Sequence, residues 1–560
     1  MTIPAIPERP ADVGLPPRFT EFRTAQIAAA MRILHAFETT DNVILQAPPG
    51  VGKTLLSLLL ARLASSPREK EGRYWIRGAS IATITKLLQQ QYLDDFPDDV
   101  VTATGRDNWP CLIDARSTAA NAACNHGWKC PVQRSCDYFV QRDAADGADV
   151  SVLNTAFYIF EKAFTSKFAG HELVIFDEAH ALEEQILSFA AKWISPRLFE
   201  RLGYMMPRSL ELRDDGPWAD FWEANEGDLK HERKQLEEDA KSQLEAGAVN
   251  LEPRLAGRLR DLKSILDIAH AFHQASQDPE HWLLSRTRND SGALELRSIW
   301  GYTQAPIVFN GKTKRLFMTG TVLSPEFLAF SLGLKDYQYI EMASDFPATQ
   351  RPLYYVPTVK MSAKATSDDI DHLVMVMDEI IRVRHLGQKG IIHTVSYQLR
   401  NEIMERSRWK NFMVTHNAAD RIETLERFRE LPEGFILVSP SMTTGVDLPE
   451  GQCRWQMIPK MPFPYLGDEM IRMRKDDERR LMWAGRDVRV GDLYYAWATA
   501  TAIVQAYGRA MRSAGDWGHT YLLDSNFGSF VGENRWGPLF PGWFKESLKY
   551  SSLEELGVEL

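Results

Sequence analysis

The stretch Asn42-Val43-Ile44-Leu45-Gln46-Ala47-Pro48-Pro49-Gly50-Val51-Gly52-Lys53-Thr54 sets the fold expected for the first part of this chain. Its apolar beginning predicts a buried strand, and the residues from Lys53 onward predict a helix. Between them, Ala47–Thr54 matches the phosphate-loop pattern, with alanine in place of the leading glycine. Glycines let the backbone amides curl around a β-phosphate, Lys53 adds a positive charge, and the Thr54 hydroxyl suits Mg²⁺. We therefore expect a nucleoside triphosphate to bind here, on Pro49, Gly50, Val51, Gly52, Lys53 and Thr54.

A second apolar run, Leu173–Phe176, leads directly into Asp177-Glu178-Ala179-His180. The carboxyl ends of parallel strands meet at one edge of a sheet, so we expect both carboxylates beside the phosphate loop. Asp177 would hold Mg²⁺ through water molecules, and Glu178 would polarise the water that attacks the γ-phosphate. An acidic strand end by itself is as often a solvated terminus. The phosphate loop is what favours the catalytic interpretation.

The composition is that of an ordinary globular protein of several domains. Of the 560 residues, 44% are apolar and 25% are charged, which argues against disorder and against a coiled-coil rod. With 65 basic and 75 acidic side chains the net charge is −10, so a polyanion has to be bound by a local groove. Prolines interrupt the first ten residues, and no apolar run reaches the roughly 20 residues of a membrane span. We expect a cytoplasmic protein with no membrane partner.

Four of the five cysteines lie in one region, at Cys111, Cys124, Cys130 and Cys136. They are separated by twelve, five and five residues. These gaps suit a four-thiolate iron-sulfur cluster better than a zinc site, which usually pairs its cysteines as C-x₂₋₄-C. Zinc or an empty, degenerate site remains an alternative on spacing alone. The fifth, Cys453, is expected to be a small core residue.

The chain also carries strings that resemble the motifs of one family. Gln505-Ala506-Tyr507-Gly508-Arg509-Ala510-Met511-Arg512 resembles the sixth motif, QxxGRxxR, of the XPD/DinG-type superfamily 2 iron-sulfur DNA helicases. Further strings are similar to other motifs of that family and follow its order, namely Ile81–Lys86, Met318–Pro325, Gly390–Tyr397 and Thr443–Pro449. Met318–Pro325 departs from the usual Ser-Ala-Thr core, since it reads Thr-Gly-Thr.

The resemblance implies an α/β fold of two RecA-like motor domains, the first of which carries an iron-sulfur cluster domain and an all-α Arch-like insertion. The sequence agrees, because α/β patterns flank a cysteine-rich stretch and a charged helical stretch. The implied domains are, in chain order, motor domain 1 at 1–104, the cluster domain at 105–150, motor domain 1 again at 151–189, the Arch-like domain at 190–295, the last part of motor domain 1 at 296–330, and motor domain 2 at 331–560.

By the same resemblance, we expect an ATP-dependent DNA helicase that uses ATP, Mg²⁺ and a [4Fe-4S] cluster. It would move 5′ to 3′ as a monomer on single-stranded DNA at duplex junctions. The implied catalytic residues are Lys53, Asp177, Glu178, His180, Gln505, Arg509 and Arg512. Gln26, Gly445 and Asp447 are implied to help the phosphate loop bind ATP, while Thr54 and Asp177 are implied to hold Mg²⁺. The family's arginines reach the γ-phosphate from the second motor domain, so hydrolysis depends on closure.

Two other classes of function stay open. An ATPase that remodels RNA or nucleoprotein would carry the same motifs, because nothing in the sequence reads a 2′-hydroxyl. A non-catalytic adaptor with a motor fold is disfavoured by the presence of Glu178 and Arg512. Among candidate DNA contacts, Arg106 lies near the first of the four cysteines. Arg472–Arg489 holds seven basic residues but also four acidic ones, and we expect a salt-bridged surface helix there.

Overall fold

The computed structural model describes residues 6–65, 78–113, 118–120, 122, 124, 130–165, 167–246, 252–287, 292–311, 313–440, 448, 450–509, 516–532 and 535–560. The strands in this part of the chain are β1 (Asn42–Gln46), β2 (Ala79–Thr83), β3 (Val101–Ala103), β4 (Val150–Asn154), β5 (Leu173–Asp177), β6 (Lys192–Ile194), β7 (Trp282–Arg286), β8 (Leu294–Ser298), β9 (Lys314–Thr319), β10 (Gln338–Glu341), β11 (Leu353–Val359), β12 (Gly390–His393), β13 (Met413–Thr415), β14 (Ile436–Ser439), β15 (Trp455–Ile458), β16 (Arg480–Trp483), β17 (Arg486–Arg489), β18 (His519–Asp524) and β19 (Leu548–Tyr550).

The α-helices over the same residues are α1 (Thr24–Ala36), α2 (Lys53–Ser65), α3 (Lys86–Asp95), α4 (Asp137–Asp146), α5 (Thr155–Phe164), α6 (Leu182–Ala190), α7 (Pro196–Leu202), α8 (Pro217–Glu245), α9 (Pro253–Gln277), α10 (Pro325–Leu332), α11 (Ser367–Arg384), α12 (Tyr397–Arg406), α13 (Arg421–Glu430), α14 (Glu469–Lys475), α15 (Val490–Tyr507), α16 (Asn526–Val531) and α17 (Gly542–Lys545). None of them has the length and apolar character needed to span a bilayer.

Two parallel sheets form the framework, each with seven described strands. The first has the order β10-β1-β9-β5-β2-β4-β3 and the second has the order β13-β14-β12-β15-β18-β11-β19. Parallel strands are covered on both faces, which explains why β1, β5 and β9 are apolar and buried almost throughout. These three strands are neighbours, so the segments that follow them meet at one edge. The expected α/β fold with two RecA-like units is confirmed.

Several of the predicted motifs end in a residue that caps the next helix. The hydroxyl oxygens of Thr85, Ser324 and Ser396 accept hydrogen bonds from backbone N–H groups three residues later, at 3.1 to 3.2 Å. Such caps satisfy N–H groups that have no partner within the helix. In each motif the chain therefore runs from the carboxyl end of a strand into a helix, and the capping residue fixes where that helix begins.

The helical insertion contains α7, α8 and α9, but the prediction that it is all-α is wrong. A small antiparallel sheet with the order β6-β8-β7 lies at its base. Strand β8 alternates buried and half-buried residues with a period of two, as a strand covered on one face does. The helices pack through aromatic rings, among them Trp218 and Phe272, whose ring centroids are 4.3 Å apart.

The expected boundary after residue 330 is too early. Strand β10 pairs with β1 in the first sheet, so the first unit continues to Glu341. The strand was hard to recognise because only one of its four residues is buried. The prediction of one helix over Arg472–Arg489 is also wrong: α14 is followed by the hairpin β16–β17. The predicted ion pairs are present, for example between Arg480 and Asp487 at 3.1 Å.

The two units are packed against each other around a shared apolar cluster. Trp300 and Phe327 of the first unit lie in the same cluster as Leu493 and Tyr494 of the second. A buried ion pair lies beside the cluster, where Arg474 of α14 meets Glu183 of α6 at 3.3 Å. These contacts join the two units in this structure.

Candidate functional site

The phosphate loop connects β1 to α2, and its carbonyl groups are held from behind. Gly50 and Gly52 both have a φ of +76°, a conformation that favours glycine. Arg23 Nη1 donates to the Gly50 carbonyl oxygen at 2.6 Å. Gln26 Nε2 donates to the carbonyl oxygens of Val51 at 3.0 Å and Gly52 at 3.1 Å. In a trans peptide the C=O and N–H point in opposite directions, so the next three N–H groups face away from Arg23 and Gln26.

Gln26, which the resemblance implies in ATP binding, is 2% exposed. Its Oε1 accepts a hydrogen bond from the Arg23 N–H at 2.9 Å, at the start of α1. The Nε2 of Gln26 is therefore left to donate to the phosphate loop. Gln26 therefore touches the backbone of the phosphate loop. The contact of Arg23 with the phosphate loop was not predicted from the sequence. Arg23 lies only three residues before Gln26, which was predicted.

The acidic pair lies at the end of β5, next to the loop. Glu178 Oε1 is 3.6 Å from Lys53 Nζ. Glu178 has φ 53° and ψ 47°, a left-handed conformation that is uncommon for a residue with a side chain. Asp177 Oδ1 accepts a hydrogen bond from the Glu178 N–H at 2.9 Å, and the Tyr92 hydroxyl donates to Asp177 Oδ2 at 3.4 Å. This turn directs the two carboxylates into different environments.

The two carboxyl groups differ in acidity. Burial raises the pKa of Asp177 to about 6, the charge of Glu178 adds to the rise, and Lys53 opposes it. Burial also disfavours the charged form of Glu178, but Lys53 and the hydrogen bond from His180 outweigh burial and hold its pKa well below the usual range. Glu178 is therefore ionised and ready to accept a hydrogen bond from water.

His180 joins the acidic pair to the motif Met318–Pro325 and to the second unit. Its Nδ1 is 2.7 Å from Thr319 Oγ1 and 3.3 Å from Glu178 Oε2. Its Nε2 is 2.7 Å from Nε2 of Gln505, near the end of α15. An amide nitrogen can only donate, so His180 accepts at Nε2 and carries its proton on Nδ1. This series of side-chain contacts thus connects Glu178 of the first unit to the sixth motif of the second unit.

The glycine of the sixth motif also touches the phosphate loop. A Cβ added to Gly508 would lie 2.8 Å from Cγ of Pro49, so a larger residue has no room there. Arg509 follows it directly and is 9% exposed. The structure therefore brings together Lys53, Asp177, Glu178, His180 and Gln505, with Arg509 on the adjoining segment. Arg512, Gly445 and Asp447 lie outside the described residues.

Comparison with known proteins agrees with this geometry. A family model described as the helicase C-terminal domain matches residues 380–547, and the DEAD_2 model matches residues 128–197. A probable ATP-dependent helicase of Methanocaldococcus jannaschii is 21% identical, over 92% of this chain and 93% of that protein. The solved structure of S. tokodaii Xpd4 is similar with a TM-score of 0.54 at 16% identity, covering 91% of this chain and 97% of that one. A structure of XPD helicase gives a TM-score of 0.55 at 14% identity, over 96% and 99% of the two chains.

These matches assign the chain to the ATP-dependent helicases, with a fold similar to that of XPD. Members of an ATP-dependent helicase family bind ATP with Mg²⁺ and nucleic acid. In this helicase the loop residues and the acidic pair lie at the carboxyl edge of the first sheet, and the second sheet's α15 reaches the same edge.

The four cysteines of the helicase form a loose group on one side of the first unit. All are free of disulfide bonds, and Cys136 is buried at the start of α4. Burial raises the pKa of the Cys124 thiol against the pull of Arg106, and the thiols of Cys130 and Cys111 raise it further, so these groups are neighbours. Within the described residues, no three of the sulfurs lie within 4.8 Å of one another. Four sulfurs around one zinc ion would be about 3.8 Å apart.

Arg106 is turned toward these cysteines. Its Nη1 donates to Cys124 Sγ at 3.5 Å, and its guanidinium lies 4.4 Å from the ring centroid of Tyr138. Tyr138 is fully buried and donates to Glu161 at 2.7 Å. Tyr138 is therefore a packing residue, and Arg106, the candidate DNA contact, is in contact with Cys124 and Tyr138 here.

Proposed function

We propose that this helicase hydrolyses ATP in the cleft between its two motor units and uses closure of that cleft to move 5′ to 3′ along single-stranded DNA, unwinding duplex at junctions. The observation that carries the proposal is the contact between His180 and Gln505. His180 Nε2 is 2.7 Å from Gln505 Nε2 in the arginine-bearing motif of one unit, and His180 Nδ1 is 3.3 Å from the ionised Glu178 of the other. The domain boundaries implied by the resemblance, with the first unit extended to Glu341, belong to this proposal.

Each residue at the cleft has a proposed task. The N–H groups of the phosphate loop and Lys53 would bind the phosphates. Thr54 and Asp177 would hold Mg²⁺, which neutralises phosphate charge during transfer. Glu178 would orient the attacking water. Arg509 and Arg512 would stabilise the charge that spreads over the transferring phosphoryl oxygens, and Gly445 and Asp447 would complete the nucleotide site.

A groove on the second motor unit supports a single nucleic-acid strand as the partner. Two adjoining clefts of about 430 and 530 Å³ share Asp492, Arg535 and Trp536. The rings of Phe463 and Tyr495 stack there with centroids 5.9 Å apart. The basic side chains that line the clefts are Lys360, Lys475, Arg480, Arg486, Arg489 and Arg535, of which Lys475, Arg480 and Arg489 are ion-paired with Asp492, Asp487 and Glu478. Aromatic faces accept any base and cations follow the backbone, which is how single strands are bound without sequence preference.

Cys111, Cys124, Cys130 and Cys136 are proposed to hold a [4Fe-4S] cluster. The candidate donors are four thiols, and within the described residues no three of their sulfurs lie within 4.8 Å of one another, whereas four sulfurs around one zinc ion would be about 3.8 Å apart. A cluster would brace a region with little apolar core of its own. That region could then act as a rigid wedge where duplex meets single strand.

Steady-state ATPase assays with single-stranded DNA, with single-stranded RNA and without nucleic acid test the proposal. We expect DNA to stimulate hydrolysis more than RNA, Lys53→Ala to abolish it, and Lys335→Ala, at an exposed lysine, to leave it unchanged. Strand displacement on substrates with either a 5′ or a 3′ tail then tests direction. Hydrolysis that persists in Lys53→Ala would refute the assigned site, and stimulation by RNA alone would refute the DNA substrate.

A further inference from the structure

The chain passes from the first sheet to the second along Met342–Pro352, here called the linker. The linker begins at the end of β1, where the Met342 N–H donates to the Gln46 carbonyl oxygen at 2.9 Å. It ends at β11, where the Leu353 N–H donates to the Ser547 carbonyl oxygen at 2.9 Å. Any change in the distance between the motor units has to change the shape of this segment.

One end of the linker is tied to the phosphate loop by Arg23. Arg23 Nη1 donates to the Gly50 carbonyl oxygen at 2.6 Å and to Asp345 Oδ2 at 2.9 Å. The Arg23 side chain is 43% exposed and that of Asp345 is 30% exposed. One nitrogen of Arg23 therefore binds both a phosphate-loop carbonyl and a linker carboxylate. Arg23 and Asp345 lie 322 residues apart in sequence.

The other end of the linker is tied to the sixth motif by Arg351, which is 3% exposed. Arg351 Nε donates to the Phe346 carbonyl oxygen at 3.1 Å, and its Nη1 donates to the Tyr507 hydroxyl at 3.1 Å. The Tyr507 hydroxyl in turn donates to the Arg351 carbonyl oxygen at 2.8 Å. Tyr507 directly precedes Gly508 and Arg509.

Both ends of the linker are thus connected to the phosphate loop, one through Arg23 and the other through the sixth motif. Gly508 of that motif packs on Pro49, which directly precedes Gly50. Binding of phosphate requires the Val51 N–H to face the ligand, which requires the Gly50 carbonyl to face Arg23. The orientation of the Gly50–Val51 peptide that presents its N–H to phosphate is thus the one in which its carbonyl binds Arg23, and Arg23 in turn binds Asp345. Coupling between two sites is reciprocal, so the linker shape set by Asp345 also biases the loop.

We propose that Arg23 and Asp345 are positioning residues that couple nucleotide binding at the phosphate loop to the arrangement of the two motor units through the linker. The inference rests on the proposed function, since it needs an ATP-driven change in the grip on single-stranded DNA. Neither residue touches the reacting atoms. Their effect is on how strongly nucleotide and DNA influence each other.

The test measures the affinity of the full chain for a labelled oligothymidine by fluorescence anisotropy, with and without Mg-ADP-beryllium fluoride. The ratio of the two dissociation constants is the coupling factor. Asp345→Ala leaves the Arg23–Gly50 bond intact and should reduce the factor about threefold or more, while the KM for ATP changes less than twofold. Arg23→Ala should reduce the factor equally and also raise the KM, because it releases the Gly50 peptide.

Asp41→Ala is the matched control, since it removes a half-exposed ion pair with Lys314 in the same unit, at 2.7 Å. It should change neither quantity, and thermal melting should show all variants folded. The double variant Arg23→Ala/Asp345→Ala should have the factor of the single variants. A wild-type response that Asp345→Ala leaves intact overturns the coupling role alone. A wild-type chain that neither hydrolyses ATP nor changes its DNA affinity with nucleotide overturns the proposed function and this inference together.

Discussion

The hydrogen bond between Gln505 and His180 can be removed with little change in shape by Gln505→Met. His180 would keep Thr319 and Glu178 on its Nδ1 side but lose its partner at Nε2, where the side chain is only 12% exposed. Leaving a buried acceptor without a partner costs about 1–3 kcal/mol. At about 1.4 kcal/mol per factor of ten, this corresponds to a rate loss of about 5- to 150-fold.

The distribution of that loss between kcat and KM is informative. If the contact is made most strongly when the units close around ATP, kcat falls and KM changes little, because only transition-state stabilisation is lost. Steady-state hydrolysis with saturating single-stranded DNA and varied ATP measures both. Gln90→Met, at an exposed glutamine on α3, is the control. Values of kcat and KM that stay within twofold of wild type would refute the idea that this contact links the two halves of the site.

Three further predictions concern the parts around the cleft. Arg474→Met or Glu183→Gln alone should lower the free energy of unfolding by about 3–5 kcal/mol in denaturant titrations, and the double variant should lose less than either; purely additive losses would argue against a coupled buried pair. Burial lowers the pKa of His393 to about 4, below the roughly 6.5 of an unfolded chain, so the unfolded state takes up the proton first and stability is lost as pH falls below 6.5. His393 should therefore lower the free energy of unfolding by about 2 kcal/mol at pH 5, and this pH-dependent loss should be smaller in His393→Asn. A pH dependence that is the same in the variant would contradict the role of His393. Cys111→Ser should lose iron and brown absorbance and impair unwinding more than ATP hydrolysis, whereas an iron-free and fully active wild type would contradict the cluster.

Local sequence signals were enough to predict where the phosphate loop and the acidic pair lie in the fold. The run from Asn42 to Thr54 combines an apolar strand, glycines and a helix start, and each of these leaves a pattern in neighbouring residues. The acidic end of β5 was readable for the same reason. The capping residues Ser324 and Ser396 lie within the motifs Met318–Pro325 and Gly390–Tyr397, and they cap the next helices as local rules require.

Contacts that depend on distant parts of the chain were not readable. Nothing near Arg23 indicates that Asp345 is its partner, because the pairing exists only once the linker lies beside the phosphate loop. Strand β10 escaped recognition because an edge strand with one buried residue has no clear alternation. The hairpin β16–β17 was read as a helix because charge alone does not distinguish the two.

The central claim is that both motor units contribute to ATP hydrolysis, and Arg509→Ala tests it most directly. The measurement is the single-turnover rate of Mg-ATP hydrolysis with saturating single-stranded DNA, alongside the dissociation constant for ATP. An arginine that stabilises the transferring phosphoryl group contributes about 10³-fold or more to the rate. We predict a rate loss of at least that size with an ATP affinity within about threefold of wild type. A rate within tenfold of wild type would contradict a catalytic site shared between the two units.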